Sequence, residues 1–338
     1  MRRPPFPFVV GCWRSGTTLL RLMLDSHPEL AIPEESHFIP RTAGLWEALD
    51  ARQDRCGALA KSLAADPLFP AWGLEEDEVR RALGEAGPTS YSDAIRCVYA
   101  LYATSRGKSR YGDKTPSYVQ CMPLLAELFP ESRFVHIIRD GRDVALSVLE
   151  QGFGANSVDE AALEWAHRVR RGRRAGHALD ANRYLEVRYE SLVDAPSDVL
   201  AEICAFIGLR FDEAMLRYFD RADNTHRGMD ESGRRYNPHV QSPPTAGLRS
   251  WERQMDRAQV VAFEAIAGDA LEEFHYPTTV GSFTMRQAVR AKRAELGFQV
   301  RRARRRVLRG RKAPGRPAGS DGHDPNLPRL GAEDMEAR

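Results

Sequence analysis

The residues of this sequence that could do chemistry fall into short, widely separated stretches. Foremost is Gly11-Cys12-Trp13-Arg14-Ser15-Gly16-Thr17-Thr18, a G-x-x-x-x-G turn followed by two hydroxyls. Glycines at that spacing let successive backbone N–H groups converge at a helix N-terminus, where the helix dipole favours an anion. A phosphate-like group is the expected occupant. Thr17 stands where a loop that hydrolyses ATP or GTP carries lysine, so the charge that spans β- and γ-phosphates is missing. That argues against a nucleoside triphosphate. Arg14 can supply a planar donor fork instead, and the Thr17 and Thr18 hydroxyls add donors that need no metal. Beyond this turn lie the carboxylate pair Glu34-Glu35 with His37, then Lys114 inside Gly112-Asp-Lys-Thr-Pro-Ser117, and Arg139 at the end of an apolar run.

The elements around these residues decide where they point. Phe6, Phe8, Val9 and Val10 stop at Gly11 and predict a buried parallel strand. A helix follows from about Ser15, its apolar Leu19, Leu20, Leu22, Met23 and Leu24 at helical spacing, and His27-Pro28 ends it. A strand broken by D-K-T-P, ahead of a helix over 117–129, carries Lys114; active sites of open parallel sheets lie at carboxyl strand ends, so this lysine can reach the crevice of the phosphate loop. Arg133–Arg139 predicts another buried strand that ends in charge and turns into a helix through Ser147. Without further support the first unit is an ordinary strand-turn-helix with an exposed acidic loop, and Lys114 a solvated turn lysine.

The long ungapped match of R-S-G-T-T-L-L-R and L-D-S-H-P resembles the 5′-phosphosulfate loop of sulfotransferases that use 3′-phosphoadenosine 5′-phosphosulfate (PAPS), in particular the tyrosylprotein and bacterial branches. The resemblance implies an α/β fold, a central parallel sheet flanked by helices of the P-loop nucleotide-kinase-like sulfotransferase type. It implies that Arg14, Ser15, Gly16, Thr17 and Thr18 hold the 5′-phosphate and sulfuryl group. It makes Glu35 the catalytic base, with Glu34 and His37 as neighbours that a slip of register would substitute, and sets Lys114 beside the bridging oxygen of the phosphosulfate. R-D-G-R-D-V-A-L-S matches the family's 3′-phosphate signature and nominates Arg139 and Ser147. Y-E-S-L-V-D-A-P resembles a segment whose tyrosine lies near adenine, which nominates Tyr189, and Gly247-Leu-Arg-Ser-Trp251 nominates Arg249 as a further phosphate contact. The implied reaction is in-line sulfuryl transfer from PAPS to a hydroxyl or amine, with no metal. Small-molecule, carbohydrate, lipid and peptide acceptors stay open, and no specific nucleic acid is expected.

Composition sets the outer bounds. A chain with 42% apolar residues can bury a substantial core, expected over 1–280. Five widely spaced cysteines without a C-x-x-C pair predict neither a disulfide framework nor a zinc site, and so a reducing compartment. MRRPPFPFVV does not read as a signal peptide, and no apolar stretch is long enough to span a membrane, so a cytoplasmic protein is expected. The net charge of +2 hides an asymmetry: residues 286–312 hold twelve Lys or Arg against the single acid Glu295. This segment, part of a basic extension over 281–312, reads as a helix that lies on an anionic membrane, binds nucleic acid non-specifically, or is simply solvated. Its recurring apolar residues rank the membrane surface first. The Arg168, Arg170, Arg171, Arg173 and Arg174 cluster of a helix over 158–177 reads mostly as solvated surface. Composition of 313–338 predicts disorder. Two rival functions remain at this level: a P-loop kinase that exchanged its lysine, weakened because Arg139 stands where a Walker-B acid belongs, and a basic-tailed binding protein with an inactive nucleotide site.

Overall fold

The computed structural model describes residues 3–50, 53–151, 155–224 and 250–311. By internal contacts the described residues form two compact units, one within residues 3–140 and 167–224 and one within residues 141–166 and 250–311.

The first unit is built on strand β1 (Phe6–Gly11), every residue of which is buried. Side chains alternate along a strand. Phe6, Phe8 and Val10 enter one apolar cluster with Phe134, and Val9 enters another with Leu19, Leu20, Val135 and Ile137. A strand buried on both faces needs helices on both sides, as in parallel α/β sheets. Each fully buried large side chain contributes about 1.5–3 kcal/mol relative to exposure. Helix α1 (Thr17–Asp25) returns along β1, and β2 (Leu30–Ala31) follows. Helices α2 (Ile39–Ala48), α3 (Arg55–Ala64), α4 (Glu76–Ala86) and α5 (Tyr91–Ser105) come next. The Ser90 hydroxyl caps α5 by accepting from the Asp93 N–H, and Phe38, Phe69, Trp72 and Tyr99 lock these helices into one aromatic cluster.

The expected strand near Tyr111 proves to be two. β3 (Arg110–Tyr111) pairs with β2 in a separate two-stranded sheet, and only β4 (Asp113–Lys114) joins the central sheet, Val9 opposite Lys114. The helix expected over 117–129 is a 3-10 turn, Pro116–Gln120, followed by the short α6 (Met122–Leu128); prolines at both starts cannot donate to a continuous α-helical ladder. β5 (Ser132–Ile138) pairs with β1 on its other side, and β6 (Tyr184–Arg188) completes a parallel sheet of order β4-β1-β5-β6. The chain therefore leaves β1 first to one side and later to the other, and the carboxyl end of β1 is the switch point where such sheets bind ligands.

Helix α7 (Gly141–Gln151) lies in the second unit, and α8 (Val158–His177) has its last turns, from His167, in the first. Tyr189 starts α9 (Tyr189–Asp194), followed by α10 (Pro196–Ile207), which ends at left-handed Gly208. A 3-10 element, Glu213–Asn224, then packs Met215 and Tyr218 into the α1 cluster.

In the second unit the short α11 (Trp251–Gln254) precedes α12 (Arg257–Glu273), capped reciprocally by Asp256 and Gln259, and α13 (Met285–Arg311). Trp165 packs on Phe263, Phe274 and Tyr276. A Cβ at Gly141 would lie 2.4 Å from the Trp165 ring, so only glycine admits α7 this close. Arg142 and Glu264, both fully buried, pair at 2.7 Å, and the Arg142 guanidinium stacks 3.6 Å from the Trp251 ring centroid. Among the described residues no helix is long and apolar enough to cross a membrane.

Candidate active site

Residues 12–16 turn sharply at the carboxyl end of β1. Arg14 and Gly16 both take left-handed backbone conformations, φ 66° and 91°. Gly16 stands at the N-cap of α1 and, lacking a side chain, supplies no cap to the first N–H groups of that helix. Those donors are therefore available to an anion. A Cβ on Gly16 would lie 2.3 Å from the Tyr189 ring, so glycine is required by contact as well as by conformation. The Arg139 guanidinium lies 4.4 Å from the same ring centroid, which joins the phosphate turn, Tyr189 and Arg139 in one stack. Ser15 is fully buried, and its hydroxyl has no hydrogen-bond partner among the described residues. A buried hydroxyl left unpaired costs about 1–3 kcal/mol, which a ligand oxygen would recover. Thr17 is buried at the first position of α1, and Arg14 and Thr18 are half-buried beside it.

Across β1 the sheet delivers the second group. Lys114 ends β4 and Arg139 follows β5, so the two cations flank the β1 turn about two strand spacings, roughly 10 Å, apart. Lys114 Nζ is only 2% exposed in its side chain and donates to Glu35 Oε1 at 2.7 Å. The other carboxylate oxygen, Oε2, meets His37 Nε2 at 3.0 Å, and His37 Nδ1 meets Ser117 Oγ at 3.1 Å. Burial alone would raise the Glu35 carboxyl, but the Lys114 ammonium and the His37 hydrogen bond hold it well below the usual carboxylate range. Glu35 keeps 30% of its side chain exposed, so the ionised group is both held and reachable.

Its neighbours are spoken for. Glu34 Oε1 accepts from Arg21 Nη2 at 2.6 Å, which ties the one arginine on the α1 face to the acidic loop and separates the two glutamates by partner. Beneath Glu35, the Ser36 N–H donates to Thr115 Oγ1 at 3.0 Å, the Ser36 hydroxyl meets Tyr118 OH at 2.8 Å, and Ile39 N–H donates to that same phenol at 3.1 Å. Tyr99 OH donates to buried Asp113 at 2.6 Å. These bonds fasten the Glu35 loop to β4, so Lys114 and Glu35 meet although 79 residues separate them.

Ser147 lies buried in α7 of the second unit, and Arg249 lies outside the described residues. The α8 arginines correct the solvated reading. Arg168 is 5% exposed and stacks 3.4 Å from the Trp13 ring centroid in the phosphate turn, and Arg173 forks onto Glu186. Arg168 had a signal: it lies three residues after Trp165 and four before Gly172, on the apolar side of its helix. The Ser36–Thr115–Tyr118 network had none, since its members touch only through the tertiary fold.

A profile of the sulfotransferase family matches residues 5–213, more than half of the chain. This chain belongs to the sulfotransferase family. The protein-tyrosine sulfotransferase of Drosophila melanogaster is 28% identical over 226 residues, 64% of this chain and 40% of the fly protein. Protein-tyrosine sulfotransferase 2 of Gallus gallus is 29% identical over 223 residues, 63% of this chain and 54% of the bird protein. The chain thus spans about half the length of these relatives. Among solved structures, the sulfotransferase domain of the curacin biosynthetic pathway superposes with a TM-score of 0.56 at 20% identity, covering 82% of this chain and all of that domain. The sulfotransferase domain of the Synechococcus PCC 7002 olefin synthase gives 0.53 at 24%, over 82% of this chain and 98% of its own. The fold is therefore the sulfotransferase α/β fold.

Proposed function

We propose that this chain moves a sulfuryl group from PAPS to an acceptor hydroxyl, with an amine as the second acceptor type. The reading rests above all on the meeting of Lys114 with Glu35 at the switch point of the sheet, in a chain of this family. The residues fit the donor. The unpaired Ser15 hydroxyl and the uncapped start of α1 suit a phosphosulfate, which Arg14, Ser15, Gly16, Thr17 and Thr18 would hold. Arg139 and Ser147 would take the 3′-phosphate, Tyr189 the adenosine side, and Arg249 is carried as a further contact. Bound PAPS supplies the sulfuryl group: the acceptor oxygen bonds to sulfur as the bond from sulfur to the 5′-phosphate oxygen breaks.

The protein's own part is to place charge and to move one proton. Glu35 is ionised, the form that can accept the acceptor's proton, and His37 fixes its orientation through Oε2. While Lys114 rests on Oε1 the carboxylate is a weak base; movement of that ammonium towards the leaving oxygen stabilises the departing charge and raises the basicity of Glu35 together. The names of the relatives favour a phenolic hydroxyl, as in a tyrosyl peptide, over the sugars and lipids that the sequence left open. Five free cysteines support a reducing compartment.

Calorimetric titration with the product 3′-phosphoadenosine 5′-phosphate, beside ADP and ATP, tests the donor. Tight binding of the first alone, lost in Arg139→Ala, is expected; preferential binding of ATP would replace this reading by a kinase. Transfer of labelled sulfate from PAPS to a tyrosyl peptide then tests the acceptor class against small phenols.

A further inference from the structure

We infer that α13 is a docking surface for an anionic phospholipid bilayer. One side of this helix is committed to its own unit. Phe298 is buried, Arg290 forks onto Asp159 at 2.8 and 2.9 Å, and Arg301 Nη2 lies 3.8 Å from Glu160. The opposite side carries Met285, Val289, Leu296 and Val300, which are 80%, 44%, 63% and 45% exposed. Their spacings of four, seven and four residues place all of them within an arc of about 60°. Single exposed apolar residues need no explanation, whereas a continuous stripe marks an interaction surface.

The border of the stripe identifies the occupant. Arg286, Lys292, Arg293 and Arg304 line its two sides and are exposed. Glu295, the one acid of the segment, is answered within the helix by Lys292 at 2.9 Å. An apolar stripe with cationic margins is the form of a helix that lies in a membrane interface, its side chains among acyl chains and its cations at anionic headgroups. A second copy of the helix would bring eleven cations against eleven with one acid each, and like charge opposes that pairing. A nucleic acid would meet the cations but leave the stripe in water.

The test is co-sedimentation of the full chain with vesicles of phosphatidylcholine alone or with added phosphatidylserine. Binding to the anionic vesicles at least about tenfold above the neutral ones is expected, falling with salt. The double variant Leu296→Asp, Val300→Asp should lose that binding while keeping its far-ultraviolet circular dichroism and its affinity for 3′-phosphoadenosine 5′-phosphate. Equal binding to neutral vesicles, no sedimentation at physiological salt, or an unaffected double variant would overturn the assignment. So would a dimer in light scattering that the variant abolishes, which gives the stripe to a second copy, or release from vesicles by duplex DNA, which gives the cations to nucleic acid. The readout is independent of turnover, so it stands or falls apart from the sulfuryl-transfer reading.

Discussion

The two units each hold a buried cation against a glutamate at 2.7 Å, and the pairs are built to opposite ends. Arg142 and Glu264 are sealed. Glu264 also accepts from the N–H groups of Thr279 and Val280, and Arg142 donates to the Pro277 carbonyl at 2.9 Å, so every strong group has a fixed partner. Lys114 and Glu35 share a similar distance, but Glu35 keeps 30% of its side chain exposed, shares its second oxygen with a histidine in left-handed conformation (φ 43°), and follows a glycine turn whose Ser15 hydroxyl has no partner among the described residues. Equal contacts therefore do not mean equal roles. Full satisfaction marks a structural pair, and residual capacity marks a site prepared for something else.

The sharpest way to break this contrast is to neutralise each carboxylate. Glu35→Gln is expected to cut sulfuryl transfer by about 10²–10⁴ while the protein still binds 3′-phosphoadenosine 5′-phosphate and melts cooperatively. A near wild-type rate would remove Glu35 from its role. Arg142→Ala should instead act on stability, costing about 3–5 kcal/mol in denaturant unfolding, because it strands a buried carboxylate. If the two substitutions lowered the thermal midpoint alike, the division into a working and a structural pair would fail.

A third buried group meets the cost of burial by staying neutral. His136, packed under α8 at Gly172 and bonded through Nδ1 to Tyr184 OH at 2.7 Å, is pulled down to about 4 by desolvation. Between its ordinary value near 6.5 and 4, the unfolded chain takes up a proton that the fold refuses. Stability should therefore fall as pH drops through that window, by up to about 1.4 kcal/mol per unit from this group. His136→Asn should flatten the slope, and an unchanged profile would assign the acid sensitivity elsewhere. Glu35 adds to the same trend for a different reason: the Lys114 ammonium and the His37 hydrogen bond depress its carboxyl, so its contribution is present above the usual carboxylate range and is lost as pH falls below it.

The smallest effect concerns the open hydroxyl. Ser15→Ala should leave the unliganded protein as stable or slightly more so, since an unpaired buried group is lost, and should weaken product binding about fivefold, near 1 kcal/mol. An unchanged affinity by calorimetry would show that Ser15 does not face the anion.

Much of this was legible because it is local. The β1–α1 unit follows from an apolar run, a glycine frame and helical spacing within thirty residues, and α8 keeps its expected bounds, Val158–His177, for the same reason. Local pattern misread what depends on hydrogen-bond partners elsewhere: the split of 110–114 between two sheets, the 3-10 turn at Pro116, and the buried Arg168.

The sequence by itself determined a glycine turn without a nucleotide-hydrolysing lysine, a parallel α/β scaffold around it, and a basic segment late in the chain. It could nominate Glu35 only beside Glu34 and His37, because adjacent residues share composition and differ in direction. The tertiary structure separates them by partner, giving Glu34 to Arg21, His37 to Ser117 and Glu35 to Lys114. The physical reason is that residue type sets what a group can do, while the strand order and the buried bonds of Ser36, Thr115 and Tyr118 set what it can reach.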